Sequence, residues 1–514
     1  MLSSSFPWLT TAGLLPLVGA AVLWLLPATA RRLARPVALA VSLLTLAVVL
    51  AMSFSFDVSR GGEYQFGELH SWIPQLGVSY ALGVNGIGLV MVALAAVLVP
   101  VVLLASWHDA GADPGRQRTF FALVLVLETF MIGVFAARDV FLFYVFFEAM
   151  LIPMYFLIGS FGGPQRRYAA VKFLLYSLFG GLLMLVAVIA LYLSGPGGEQ
   201  GFLVDNLIGA DMSQTAQRLM FLGFFIAFAI KAPMWPVHTW LPDAAGQAPP
   251  GASVLLVGVL DKVGTFGMIA LCLPLFPEAS RWAAPVIAVL AIVSIIYGAL
   301  LAIGQSDIMR LIAYTSISHF GFIVLGIFAM TSPSQNGAVL YMVNHGFTTA
   351  ALFLIVGMLI ARRGSARIAD YGGAQRVTPL LAGTFLVAGL SSLALPGLSS
   401  FVSEFLVLVG TYGRWQWAAV LATTGVILAA VYILLTYQRM FTGKPTEAVR
   451  ALPDMRLREA WVVAPLLAVI IALGVYPKPV LDVLEPAVQR TMQEAGATDP
   501  APAVPAVTAG RDDQ

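Results

Sequence analysis

Charge is scarce in this chain of 514 residues: Asp, Glu, Lys and Arg make up 11% of it, against 59% hydrophobic residues. Soluble domains carry about 25% charged residues, so the composition, with a mean hydropathy of +0.89, indicates an integral membrane protein. Cysteine is scarcer still. Cys272 is the single one, which excludes an internal disulfide framework and a cluster held by cysteine thiolates. No G-x-G-x-x-G follows a plausible strand, and neither G-x-S-x-G nor H-E-x-x-H occurs, so no nucleotide fold, nucleophile elbow or zinc-protease helix is expected. The net charge of +2, with no basic patch interleaved with aromatics, gives no reason to expect a nucleic-acid partner. The N-terminus lacks a basic leader, and the apolar stretch Thr11 to Ala30 runs into Arg31 and Arg32 without a small-residue cleavage site. It is read as a retained first span.

What the chain has in abundance is apolar runs. A bilayer core of roughly 30 Å needs about 20 residues per helix. Fourteen runs of that kind occur, near 8–30, 36–56, 78–107, 119–137, 139–162, 169–194, 218–245, 251–276, 282–304, 308–330, 334–361, 378–411, 415–440 and 460–482. The fold class is therefore all-α and polytopic, with about 14 transmembrane helices in the lipid bilayer. Lys and Arg beside spans are retained on the cytoplasmic side. Loops after odd-numbered runs hold 18 of the 28 basic residues, so both termini are expected outside the cytoplasm.

Runs seven and twelve differ from the rest. Run seven contains Pro233, Pro236 and Pro242, and run twelve contains Pro396 and Gly397 in "SSLALPGLSSFVSEF". Proline removes an amide donor and clashes one turn back, so both helices should be broken. Irregular backbone at membrane depth survives only inside protein or against a wet cavity. Two breaks five spans apart suggest inverted five-helix repeats, spans 4–8 and 9–13. The expected organisation is spans 1–3 over residues 1–118, a first repeat over 119–276, a second over 282–440, a last-span region over 441–483 and a disordered Ala/Pro-rich tail over 484–514.

Four ionisable residues fall near the middle of runs: Glu148, Lys231, Lys262 and Glu404. Each costs about 2.5 to 3.5 kcal/mol at mid-bilayer on insertion scales, which argues against chance. Loss of water favours the neutral form of either group and an opposite charge favours the ionised form, so a buried Glu and Lys whose separation changes make a switch for proton affinity. A static ion pair of Glu148 with Lys231, or a hydrogen bond from Glu404 to the loosened backbone at Pro396, are structural alternatives. His238, His319 and His345 each admit a role as satisfied core histidines. Together, with hydroxyls around His319 in "YTSISHFG", they point to a proton relay. A metal site is the weaker reading, because no carboxylate or second histidine stands at i+3 or i+4 from any of them. Asp261, beside Lys262, has no evident role.

The segments "FYVFFEAMLIPMYFLIG", "KAPMWPVHTWLPDA", "VLLVGVLDKVGTFG", "DIMRLIAYTSISHFGF", "VNHGFTTAALFLIVG" and "LALPGLSSFVSEFLVL" resemble the antiporter-like subunits of respiratory complex I and of the Mrp cation/proton antiporters. The resemblance runs in order over roughly residues 80 to 440. It implies a fourteen-helix proton-moving module in the membrane arm of NADH:quinone oxidoreductase, in a bacterial inner membrane. The implied partners are the antiporter-like subunits L and N, including the lateral helix of L. NADH, FMN, iron–sulfur clusters and quinone would lie in or between other subunits, with no cofactor or metal in this chain. By resemblance, Glu148 and Lys231 form a responsive charge pair, Lys262 is the central carrier, and His238, His319 and His345 line the route to Glu404. Lys172 is a weaker inclusion. Glutamate rather than lysine at position 404 marks one branch of the group. Ala245 departs from the pattern, standing where relatives have histidine. A stand-alone Mrp-type antiporter, the membrane subunit of a hydrogenase and a purely structural scaffold are the competing readings.

Overall fold

The computed structural model describes residues 6–501. Among them, twelve helices are long and apolar enough to cross a membrane, so the chain is a multi-pass helical membrane protein. Three of these, Pro250–Leu275, Ile308–Phe328 and Ser332–Arg363, are almost wholly buried and form the centre. Trp8–Leu25, Ala28–Phe54 and Leu457–Val475 instead leave most of their surface outward, with Leu14, Val18, Val22 and Trp461 exposed. The division follows the polar residues, since lipid is as apolar as leucine and only polar groups need a protein interior.

The two proline-bearing runs are each split. Helix Gln214–Lys231 ends at Lys231 and helix Trp240–Gln247 resumes after eight irregular residues. Helix Pro379–Ser392 is followed by Ser399–Arg414. Between them Ala394 and Gly397 take positive φ, +60° and +92°. Glycine meets that conformation without a Cβ clash; Ala394 does not.

The structure corrects three expectations. Residues 78–107 are not one helix, which at 1.5 Å per residue would reach about 45 Å, well past the hydrocarbon core. Val78–Val84 is a strand paired antiparallel with Gln65–Ile73, His70 facing Tyr80 and Ser71 facing Ser79. The helix begins at Gly86, where the Asn85 side chain accepts the Gly88 N–H at 3.0 Å. The hairpin also closes the first helix: Glu68 Oε1 accepts the amides of Leu9 and Thr10 at 2.9 and 3.2 Å.

The final run stops at Val475, short of the expected 482. The expected disordered tail from 484 instead continues an ordered helix, Lys478–Glu494. Its buried residues, Leu484, Ala487, Val488, Thr491 and Met492, recur at helical spacing. They seat it against helices Gly86–Ala105 and Ser332–Arg363. Arg281 Nη1 donates to Ala495 O at 2.6 Å and Arg414 Nη2 to Thr498 O at 2.7 Å, so the chain stays tied down beyond that helix. The remainder of that tail, from 502, lies outside the described residues.

Candidate functional site

At the first break the backbone groups freed by proline find partners. Met234 N donates to Ala229 O at 3.0 Å, and Trp235 N to Ser294 Oγ at 2.8 Å. Trp240 Nε1 spans the gap to Ile230 O at 2.9 Å. Lys231, the last helical residue before the gap, is buried and its ammonium has no hydrogen-bond partner. The nearest compensation is aromatic: Nζ lies 5.0 Å from the Phe147 ring centroid and 5.7 Å from that of Phe173. Glu148 follows Phe147 on the helix Val140–Ala149. Its Oε1 is buried and unpartnered, so the two residues make no direct hydrogen bond. The carboxylate fills space left by a glycine, for a Cβ at Gly181 would stand 1.8 Å from Oε1. The static ion pair allowed by the sequence is thus replaced by two near charges held apart.

The second cluster is a row of buried groups, hydrogen-bonded at Lys262–His345, His319–Tyr432 and Tyr341–Glu404 but not between the two imidazoles. Lys262 lies on the central helix in the α-helical segment Asp261–Gly267, with π-helical turns on both sides, Leu256–Leu260 and Met268–Cys272. Such wide turns recur at functional sites. Lys262 Nζ donates to Val257 O, inside the first wide turn, at 2.7 Å, and meets His345 Nδ1 at 2.7 Å. An ammonium has only donors, so Nδ1 accepts. The rings of His345 and His319 stand edge to face with centroids 5.3 Å apart. His319 Nε2 is 3.2 Å from Tyr432 Oη, and its ring lies 5.8 Å from that of Tyr341. Tyr341 Oη donates to Glu404 Oε2 at 2.8 Å. A buried file therefore runs from Lys262 through His345 and His319 to the tyrosines and Glu404, which stands in the half-helix after the second break.

Other sequence-chosen residues stay outside this file. His238 sits in the first break, its ring edge-on to Tyr297 at 5.2 Å and its Nδ1 unpartnered. Lys172 belongs to a partly buried ion cluster, its Nζ 2.7 Å from Asp243 Oδ2, while Arg310 Nη1 holds Oδ1 at 2.5 Å. That cluster restrains the short helix Trp240–Gln247 rather than extending the buried file. The hydroxyls flanking His319 are also differently used: Thr315 and Ser316 donate to Ile312 O, and Ser318 to Ile295 O. At Ala245, which departs from the histidine of the family pattern, the carbonyl accepts from Ser253 Oγ at 2.9 Å.

Tyr341 and Tyr432 were not singled out from the sequence. Tyr341 precedes His345 by four residues, one helical turn on the same face, which is the signal that could have marked it. Glu128 was missed as well. It is wholly buried in helix Pro114–Ala136, and neither carboxylate oxygen has a partner. Asp261 shares both properties. Among the described residues no group of three His, Cys, Asp or Glu could hold a metal ion.

The arrangement is a set of buried ionisable groups inside a multi-pass membrane protein, and similarity to known proteins gives its class. A family model described as NADH:quinone oxidoreductase/Mrp antiporter, TM, matches residues 137–429, and the chain belongs to that family. Within it the chain groups with subunit M of NADH-quinone oxidoreductase: the Mycobacterium tuberculosis protein of that name is 51% identical over 99% of both chains. Among solved structures, a chain of respiratory complex I from Thermus thermophilus superposes with a TM-score of 0.86 at 32% identity, covering 95% of this chain and all of that one. A chain of the Mrp complex from a Dietzia species shares the fold, with a TM-score of 0.83 at 23% identity over 95% of this chain and all of that one.

Proposed function

We propose that this chain is a proton-translocating, antiporter-like subunit in the membrane arm of NADH:quinone oxidoreductase, coupled to redox chemistry carried out by other subunits. The observation that carries the reading is the file of groups from Lys262 to Glu404, each able to hold or pass a proton and none reaching bulk water. A structural scaffold would gain nothing from it, since buried charges are better replaced by apolar residues when only stability is at stake.

In this reading the two split runs cross the membrane with the twelve long helices, giving fourteen spans. Spans 4–8 and 9–13 are inverted repeats, each contributing one break. Lys231 and Glu148 respond to neighbouring subunits, L and N and the lateral helix of L among them. A shift that separates or joins them alters the charge next to the central helix. Lys262 takes up or releases a proton in response, passing it through His345 and His319 toward Glu404. His238 hydrates the first break, and Lys172 acts indirectly by fixing the half-helix through Asp243. Both termini lie outside the cytoplasm of a bacterial cell, and NADH, FMN, iron–sulfur clusters and quinone belong to the rest of the complex. Moving one proton against 100 mV requires about 2.3 kcal/mol, which the redox partners supply.

The test is proton pumping by the assembled complex in sealed vesicles. Lys262→Ala and Glu148→Ala should each abolish or strongly reduce pumping. Full pumping with either variant would refute the proposal, and salt-dependent exchange without NADH would favour a cation/proton antiporter instead.

A further inference from the structure

Asp261 is the group that the file above leaves unused. It lies at the first turn of the α-helical segment between the two π-helical turns, fully buried, with both carboxylate oxygens lacking a hydrogen-bond partner. An unpaired buried carboxylate is costly, so its ionised form needs a compensating positive charge.

The glycines of the central helix show where it faces. A Cβ on Gly264 would meet Phe228 O at 2.5 Å and Ala232 N at 2.7 Å, and one on Gly267 would strike the Phe228 ring at 2.4 Å. This stripe therefore abuts the end of helix Gln214–Lys231. Asp261 precedes Gly264 by three residues, so it shares that face and stands level with Lys231 and the first break. Lys262 stands on another face. A Cβ on Gly258, four residues before it, would lie 3.6 Å from Gly346 O, next to His345, the residue Lys262 contacts. Two adjacent residues thus look to two different neighbours: Asp261 to the broken helix, Lys262 to the histidine file.

We infer that Asp261 is a positioning residue that couples the Glu148–Lys231 pair to Lys262, its carboxylate being shared electrostatically between the two lysines. This rests on the proton-translocation reading above. Asp261 adjoins Lys262 in the chain and shares the face that meets the end of helix Gln214–Lys231, so its carboxylate is placed between the elements that carry the two lysines. Of the other elements against this segment, helix Pro114–Ala136 carries Glu128, itself buried with neither carboxylate oxygen hydrogen-bonded. When Lys231 is drawn toward Glu148, or gives up its proton, Asp261 is left to balance Lys262 alone, and the ammonium form of Lys262 is favoured. When Lys231 returns, the carboxylate is divided again and Lys262 releases its proton toward His345. One proton enters and one leaves Lys262 per cycle, and Asp261 supplies charge without being consumed.

The experiment uses the assembled complex in vesicles, with pumping followed across pH beside NADH oxidation. Asp261→Asn should lower protons pumped per NADH by at least about fivefold and move the alkaline limb of the profile to lower pH, since the anion favouring charged Lys262 is gone. Asp261→Glu should restore most of the pumping. Wild-type pumping and profile in Asp261→Asn overturn the inference, as does a loss of pumping with an unmoved profile that Asp261→Glu fails to restore. If Asp261→Asn does not assemble, Asp261→Glu is read alone: pumping near wild type supports the coupling, and pumping lost in the assembled complex counts against it. Lys262→Ala separates the two claims: if it abolishes pumping while Asp261→Asn is silent, only the role of Asp261 falls. If Lys262→Ala pumps normally, the translocation reading itself falls.

Discussion

Lys262 Nζ and His345 Nδ1 lie 2.7 Å apart, joining the central helix to the long helix Ser332–Arg363 at a fully buried point. Because Nδ1 accepts, the proton of the neutral ring sits on Nε2, which has no hydrogen-bond partner. The ring therefore presents an acceptor to the lysine and a donor to the space beyond.

Replacing His345 with alanine removes that acceptor and leaves Lys262 with one carbonyl. A hydrogen bond to a charged group is worth about 1.5 to 3 kcal/mol, so a tenfold or greater fall in pumping rate is expected, of order 10 to 100. Initial rates of vesicle acidification at fixed NADH measure it. Rates within twofold of wild type would exclude His345 from the path.

Tyr341→Phe deletes a single oxygen, the donor to Glu404 Oε2. The ring stays, so assembly should be preserved, while pumping falls and the buried Glu404 loses its one charge-assisted partner. Quantifying complex in the membrane by blue native gels, beside pumping, distinguishes the two. Loss of assembly with normal pumping per complex would mean that the hydroxyl serves only stability.

Glycine positions give a prediction about packing alone. Gly264→Ala would push a methyl to 2.5 Å from a backbone oxygen, a strain of about 1 to 3 kcal/mol, and should lower the thermal midpoint of the purified complex. Gly383, in helix Pro379–Ser392, has nothing within 4 Å of its Cβ position. Gly383→Ala should therefore be neutral or raise stability by up to about 1 kcal/mol through helix propensity. The reverse order of midpoints would contradict the geometry.

Truncation before Lys478 removes a helix whose apolar side covers Gly86–Ala105 and Ser332–Arg363. A Cβ at Gly86 would come within 2.0 Å of Val483 O, so the fit there is close. The truncated chain should reach the membrane in reduced amount and be degraded faster in a pulse-chase experiment. A chain ending before 478 that accumulates and pumps normally would make the helix dispensable.

Much of this protein was legible in its sequence because lipid makes polarity conspicuous. Lys231, Lys262, Glu148 and Glu404 stand out in apolar runs, and Pro233, Pro236 and Pro396 announce the breaks. The same reasoning fails where side chains are ambiguous. Tyr341 and Tyr432 read as ordinary aromatic core until their hydroxyls are seen against Glu404 and His319. The helix Lys478–Glu494 is amphipathic, so a hydropathy window passes over it, and the strand Val78–Val84 is apolar enough to merge with the helix that follows. The π-helical turns around Asp261 leave no composition signal. Glu128 is a lone charge in an apolar run, yet nothing in the sequence names a partner for it, and its oxygens have none in the fold.

The two breaks have a mechanical implication. Each is latched by a side chain from another helix: Ser294 holds the amide of Trp235, and Asn344 Nδ2 holds Ser399 O at 2.6 Å. An interrupted helix is often pictured as a hinge, yet here each break is tied to a neighbouring helix by a hydrogen bond worth about 0.5 to 1.5 kcal/mol. Displacing a half-helix at either break therefore costs that bond or carries the neighbouring helix with it, which ties each irregular segment to the bundle.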